Sequence, residues 1–365
     1  MKRVLMVGYG AVGDTVHAIP AILALRRALA PGDEIWFDSV IDRREGVAPH
    51  ATVATDLLTP LGLVDRVRHR EVPGGRLGIA AIEGLVLAAV LGRRFHRVIV
   101  LVPFASLPSL LGLLDRVTSM VAVATDPGTG GPLSGDRPLC WHLLESLRHH
   151  GIVEAKGDES AVPFLVPPAA ALQEAESWLV RHRRHPERAL LAVAPDASYP
   201  SNRWPMERFQ SLVRTLDAWG DFEVVLCGGR GHGVAFCRDI AAACPGAIVS
   251  AGQLSILATA ALFRRCAGFV GLDTGTTHLA SACGTPFVAL YGQRGTGRWF
   301  FPPCANGVVL QHDVPCRGCW LTRCDRPGHP CMEGIGVDEV LAAVRKVCHR
   351  PSGVHGGTGP LAALE

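Results

Sequence analysis

Four apolar residues, Val4-Leu5-Met6-Val7, run without alternation into Gly8-Tyr9-Gly10-Ala11-Val12-Gly13. A strand that is apolar on both faces belongs inside a parallel sheet covered by helices, since a half-solvated strand would alternate. The pattern recurs. Ala18 to Leu29 reads as a helix, with Pro20 tolerable only near its first turn, and Glu34 to Phe37 as the next strand. Val98 to Val102 reads as a further buried strand, followed by a helical pattern from Leu107 to Leu114. In the second half, Leu190 to Ala194, Glu223 to Leu226, Gly268 to Leu272 and Phe287 to Tyr291 repeat the series. The fold expected is α/β, with two Rossmann-like doubly wound domains facing a cleft. Domain one spans 1–165, a linker with Pro167, Pro168, a helix from Ala169 to His182 and the basic run Arg181 to His185 spans 166–188, domain two spans 189–348, and 349–365 reads as a flexible tail.

Charge excludes one class of partner. Lys plus Arg number 36 against 33 Asp plus Glu, a net +3 that is too near neutral for dedicated nucleic-acid binding. Met1-Lys2-Arg3 leads straight into a strand, so no signal peptide is expected. The most apolar segment, Leu77 to Leu91, falls short of the roughly 20 residues a spanning helix needs. A cytoplasmic protein with at most peripheral membrane contact is expected. Its 12 cysteines are then mostly reduced thiols, with Cys140, Cys227, Cys237, Cys244, Cys266 and Cys283 in apolar, core-like surroundings.

Two glycine turns carry candidate chemistry. Gly8 to Gly13 matches G-x-G-x-x-G after a strand, and Asp38 ends the next strand, so an NAD(P) site and an oxidoreductase is one reading. Asp14 argues against it, because a carboxylate in the first helical turn would face the pyrophosphate held there. Asp14 is otherwise an ordinary helix cap, or a base projecting into a cleft where Gly10 and Gly13 let a bulky acceptor approach. In the second half, Asp273-Thr274-Gly275-Thr276-Thr277-His278 turns from a strand into a helix. Free N–H groups, threonine hydroxyls and the His278 imidazole suit a diphosphate, with His278 giving a hydrogen bond or a positive charge and Asp273 capping the turn. A Thr-rich turn held by its own hydroxyl bonds is the plainer alternative.

Taken together, VGYGAVGDTVHAIP (7–20), PDASYPSNRWPMERF (195–209) and VGLDTGTTHLASACGTPFVALYG (270–292) resemble the heptosyltransferases, glycosyltransferase family nine, over about residues 1 to 345. The resemblance implies a GT-B fold and an inverting transfer of a sugar, a heptose, from a nucleotide-diphosphate donor such as ADP-heptose. The acceptor it implies is a glycan or lipid-linked hydroxyl, in lipopolysaccharide biosynthesis at the inner membrane face. Carried over by position, the catalytic carboxylate is Asp14, and the donor-binding residues are Asp273, Thr274, Gly275, Thr276 and His278. The hydroxyl pair of the second domain falls on Ala197 and Ser198, and the usual lysine before Trp-Pro is replaced by Asn202 and Arg203. Arg230-Gly231-His232 and Gln293-Arg294-Gly295 depart from the family pattern. With no Asp-x-Asp in the chain, no catalytic metal is expected, and His278, Arg203 and helix N–H groups are left to stabilise the leaving diphosphate. A protein that binds a sugar nucleotide without catalysis is the remaining alternative.

Cys316, Cys319, Cys324 and Cys331 stand apart in a segment rich in Gly and Pro. Four thiolates make a closed tetrahedral site, so a structural Zn or Fe is expected here, with free or redox-active thiols as the alternative. Some members of the resembled family carry such a segment with bound iron.

Overall fold

In the computed structural model, residues 1–43, 52–73, 75–92, 94–101, 120–123, 138–154, 163–230, 232–294, 301–303 and 306–348 are described. The first lobe begins with β1 (Arg3–Tyr9), α1 (Val12–Ala28), β2 (Glu34–Arg43), α2 (Val53–Leu58), β3 (Arg66–Pro73) and α3 (Gly75–Leu91). It ends with β4 (Arg97–Val100), β5 (Val121–Val123) and α4 (Leu139–His149). Its sheet is parallel, in the order β3-β2-β1-β4-β5. The second lobe holds α5 (Ala169–His182), β6 (Ala189–Ala194), α6 (Met206–Trp219), β7 (Phe222–Leu226), α7 (His232–Ala243) and β8 (Ile248–Val249). It continues with α8 (Ile256–Arg265), β9 (Gly268–Leu272), α9 (Gly275–Ala282), β10 (Phe287–Leu290) and β11 (Gly307–Leu310). The short α10 (Pro330–Glu333) and α11 (Val337–Cys348) close the chain. That sheet is also parallel, ordered β11-β10-β9-β6-β7-β8. In both, the order reverses beside the first strand of the lobe, so a crevice opens at the carboxyl ends of the central strands.

The expected buried strands are there because their side chains have nowhere wet to go. Met6, Val7, Leu191, Val193, Phe269 and Val270 are fully buried. Two expectations need correction. Helix α1 starts six residues before Ala18, so Pro20 lies in its interior and not near its first turn. The helix expected from Ala169 to His182 is there as α5, but it does not merely link: its Ala171, Ala175, Trp178 and Leu179 are buried, and the Trp178 indole N–H donates to Gln253 at 2.9 Å. Burial of that apolar face makes α5 part of the second lobe. The expected helix from Leu107 to Leu114 and the tail 349–365 lie outside the described residues. Among the described residues no helix is long and apolar enough to cross a membrane.

The lobes are not merely tethered. One apolar cluster runs from Ile19, Ile22 and Leu143 of the first lobe into Leu257, Leu279 and Ala280 of the second. Helix α1 is the hub, touching α4 and α2 on its own side and α9 on the other.

Candidate active site

The two glycine turns meet. A Cβ added at Gly13 would lie 2.8 Å from His278 Cδ2, and one added at Gly275 would collide with the Val12 side chain. Only glycine lets the first turn of α1 approach the first turn of α9 this closely. Asp14 follows Gly13 and is half-buried, which brings the two predicted groups, Asp14 and His278, to adjoining turns from opposite lobes. The N-cap of α1 is Ala11, so Asp14 is the helix's third residue and not its cap. Its charge there is favoured by the positive end of the helix.

His278 is buried, and the loss of water brings its pKa down to about 4. The positive charge allowed by the sequence is therefore not what this ring carries near neutral pH; a neutral N–H is. His278 Nδ1 lies 3.1 Å from Nε2 of His17, a fully buried residue of α1 that sequence reasoning passed over. His17 is held well below its ordinary pKa by burial, with His278 beside it adding to the effect.

Around the second turn the polar groups are unevenly used. Thr277 Oγ1 donates to the Leu272 carbonyl at 2.5 Å and is spent on local structure. The N-cap is Thr274, with no side-chain cap bond, so Asp273 does not cap the turn as expected. Instead its carboxylate accepts from Asn202 Nδ2 at 2.9 Å. Desolvation raises Asp273 to about 6, against the opposing pull of Arg294 and the Asn202 bond. Thr276 Oγ1 and Asn202 Oδ1 are buried with no partner among the described residues. Buried polar atoms left open at a sheet's carboxyl edge are what a polar ligand satisfies. Ser198 is half-buried in the loop after β6, on that same edge. Arg203 is engaged: its Nε lies 2.9 Å from Asp196 Oδ1 and donates to the Ala197 carbonyl.

Arg294 was visible in the sequence only as a departure from a pattern. It follows β10, close enough to Asp273 to lower its pKa, with its guanidinium 3.9 Å from the Tyr199 ring centroid and 5.5 Å from that of Trp320. The cysteine segment fastens to this corner. Gly318 N–H donates to the Gln293 carbonyl at 2.8 Å, Trp320 N–H to the Arg294 carbonyl at 2.9 Å and Ser201 N–H to the Thr322 carbonyl at 3.0 Å. Trp320 and His329 hold left-handed backbone at φ 53° and 36°. Cys316, Cys319, Cys324 and Cys331 line one cavity together with Ser201, Arg294 and His329. Among the described residues, no three His, Cys, Asp or Glu side chains stand in metal-ligating geometry.

The first turn differs from a dinucleotide site at its decisive residue. Asp38 is buried, and both carboxylate oxygens are taken: Arg68 Nε donates to one at 2.5 Å and Arg68 Nη2 to the other at 2.7 Å, with Arg70 Nε 3.5 Å away. Gly10 N–H donates to the Val40 carbonyl at 2.9 Å, and a Cβ at Gly10 would collide with Ser39. Gly8 and Gly10 serve close packing on β2, and the Asp38 carboxylate is not left for a ribose.

Comparison with known proteins bears on the family and the fold. Residues 166–322 match the family profile "Glycosyltransferase family 9 (heptosyltransferase)". Lipopolysaccharide heptosyltransferase 3 of Escherichia coli is 29% identical over 122 residues, 33% of this chain and 35% of that protein. The chain spans about a third to a half of the length of the curated relatives it matches. The solved glycosyl transferase family 9 protein of Veillonella parvula superimposes with a TM-score of 0.65 at 19% identity, covering 95% of this chain and 97% of that one. The E. coli heptosyltransferase WaaC, solved with ADP-2-deoxy-2-fluoro heptose, gives 0.54 at 18% identity, covering 94% and 99%. At these identities the superpositions speak for the fold alone. Residues 166–322 are thus similar to the glycosyltransferase family 9 (heptosyltransferase) domain, and the two-lobed α/β chain that carries them has the GT-B fold of the solved heptosyltransferases.

Proposed function

We propose that the chain is an inverting glycosyltransferase that moves a heptose from ADP-heptose to a hydroxyl of a lipopolysaccharide-type glycan. The observation that carries this reading is the contact of the two glycine turns, which packs the helical turn bearing Asp14 in one lobe against the helical turn bearing a neutral His278 in the other. In the reaction, Asp14 takes the proton of the acceptor hydroxyl as its oxygen forms a bond to the anomeric carbon. The bond from that carbon to the donor diphosphate breaks on the opposite face, and the diphosphate leaves with the electron pair. General-base help of this kind is worth about 10² to 10⁴ in rate. The first-turn N–H groups of α9, Thr276 Oγ1 and His278 meet the charge that grows on the leaving oxygens. Arg294, Ser198, Asn202 and Arg203 line the same corner. ADP as the nucleotide is supported by the ligand named for the solved WaaC structure. The acceptor class is supported by the lipopolysaccharide relatives, and a site of action at the inner membrane face is part of this proposal.

A structural metal at the cysteine segment belongs to the same proposal. The donor set fits by type, since four thiol side chains line one cavity, and a bound Zn or Fe would brace the loop that holds Arg294. Protein purified without chelators is expected to contain about one metal per chain by elemental analysis; a metal-free result rejects it. For the main reading, ADP is expected to raise the thermal midpoint while NADH leaves it unchanged. Incubation with ADP-heptose and acceptor is then expected to give a glycoside of inverted anomeric configuration. A protein that binds ADP but neither transfers nor hydrolyses the donor would be a binding module instead.

A further inference from the structure

His17 has no role in the reaction as drawn, yet it is a fully buried imidazole placed between lobes. Its two ring nitrogens have different partners. Cys140 N–H, in the first turn of α4, donates to His17 Nδ1 at 3.3 Å, and His17 Nε2 faces His278 Nδ1 at 3.1 Å. A backbone N–H can only donate, so Nδ1 of a neutral His17 must accept and the ring proton must sit on Nε2. That Nε2–H donates to His278 Nδ1, which must then accept. The proton of neutral His278 is therefore on Nε2. The Nε2–Cδ2 edge of that ring is the edge turned toward Gly13, where the two glycine turns meet. Each step of this chain has one solution once both rings are neutral, and a charged His278 would set one N–H against another.

We propose that His17 is a positioning residue for donor binding: it locks His278 in the tautomer that presents Nε2–H, a neutral donor, to the diphosphate. Because His17 and His278 belong to opposite lobes, the lock exists only while the lobes are in contact. The leaving group thus gains an N–H fixed in direction before the bond breaks. This inference rests on the donor site proposed above, and it adds a residue to that site which touches no substrate.

The test uses the full chain with ¹⁵N-labelled histidine and ADP as the probe, and His278→Ala identifies the His278 signals. The wild-type ring is expected to show the proton on Nε2. His17→Leu removes the donor and is expected to weaken ADP binding by at least about tenfold, the scale of one charge-assisted hydrogen bond. His17→Gln places an amide N–H near the position of the imidazole Nε2 and is expected to bind ADP within about threefold of wild type. A merely structural role would not separate Leu from Gln in this way, nor move the tautomer. The inference is overturned if wild-type His278 carries its proton on Nδ1, or if Gln and Leu lose ADP equally. Failure of the underlying reading looks different: His278→Ala would bind ADP as tightly as wild type, while the ring-nitrogen signals would still decide the lock.

Discussion

The molecule contains the same device twice, a parallel strand followed by a glycine turn and a helix, and the two copies are used differently. In the first lobe the turn is closed upon itself. Gly10 packs on Ser39, Asp38 is gripped by Arg68, and Asp14 lies half-buried in the first helical turn that follows. In the second lobe the turn is open: Thr274 makes no side-chain cap bond, and Thr276 Oγ1 and Asn202 Oδ1 have no partner among the described residues. The difference shows that a glycine-rich βα turn specifies close approach and nothing more. Both turns leave buried hydroxyls without a partner among the described residues, Thr15 and Ser39 in the first and Thr276 in the second, so what separates them is the strand-end carboxylate: a guanidinium grips Asp38, whereas an amide holds Asp273.

The largest expected effect tests Asp14, the carboxylate that follows the first turn. Asp14→Ala is expected to lower turnover at least about a hundredfold while ADP affinity stays within about threefold, because a general base acts in the transition state and not in donor binding. Unchanged turnover would break the contrast between the turns. The next effect tests their contact. Gly275→Ala drives a methyl group into Val12, and overpacking of this kind costs about 1–3 kcal/mol. Thermal melting should register that loss together with a fall in turnover. Gly84→Ala is the control: it lies in an exposed turn of α3 with open space at its Cβ, and it should stabilise slightly.

Much of this arrangement was legible in the residues. Unbroken apolar runs ending at Gly8 and after Leu272 fix strands, parallel pairing and the edge where the site opens, because burial on both faces leaves few alternatives. Asp14 and His278 were legible as site candidates for the same reason: each follows a glycine in a first helical turn. Other features were not. The run Arg66 to Arg70 forms the largely solvent-facing strand β3, yet one of its arginines, Arg68, pairs with a carboxylate buried on β2, which nothing in the run itself signals. His17 sits among apolar residues of a helix and gives no signal of its own; its importance comes from a partner 261 positions away. Arg294 appeared only as a mismatch, and its place beside Asp273 depends on the fold of two separate loops.

The closed state of the first turn can be probed by opening it. Arg68→Ala leaves the buried Asp38 carboxylate with Arg70 alone, 3.5 Å away. A loss of about 1–3 kcal/mol in denaturant unfolding is expected, the usual cost of a buried polar group deprived of its partner. NADH should still fail to bind, because the freed carboxylate would be accompanied by Asp14 at the helix start. NADH binding gained by this variant would mean that the ion pair alone had set the two turns apart.

The smallest effect sharpens the open state of the second turn through pH. Asp273 has its pKa raised from the model-peptide value of 3.8 to about 6, with desolvation as the main cause. Between these two values the unfolded chain has released the proton and the folded chain still holds it. The folded state thus binds more protons, so this residue's contribution to stability falls as pH rises from about 4 to about 6 and is flat above. Asp273→Asn keeps an oxygen for the Asn202 amide and removes the ionisation. Its thermal midpoint relative to wild type should therefore climb by a few degrees between pH 4 and pH 7. An increment that stays constant across that range would mean that Asp273 ionises as freely as a carboxylate in water, and that the second turn is wetter than its unpartnered threonine and asparagine imply.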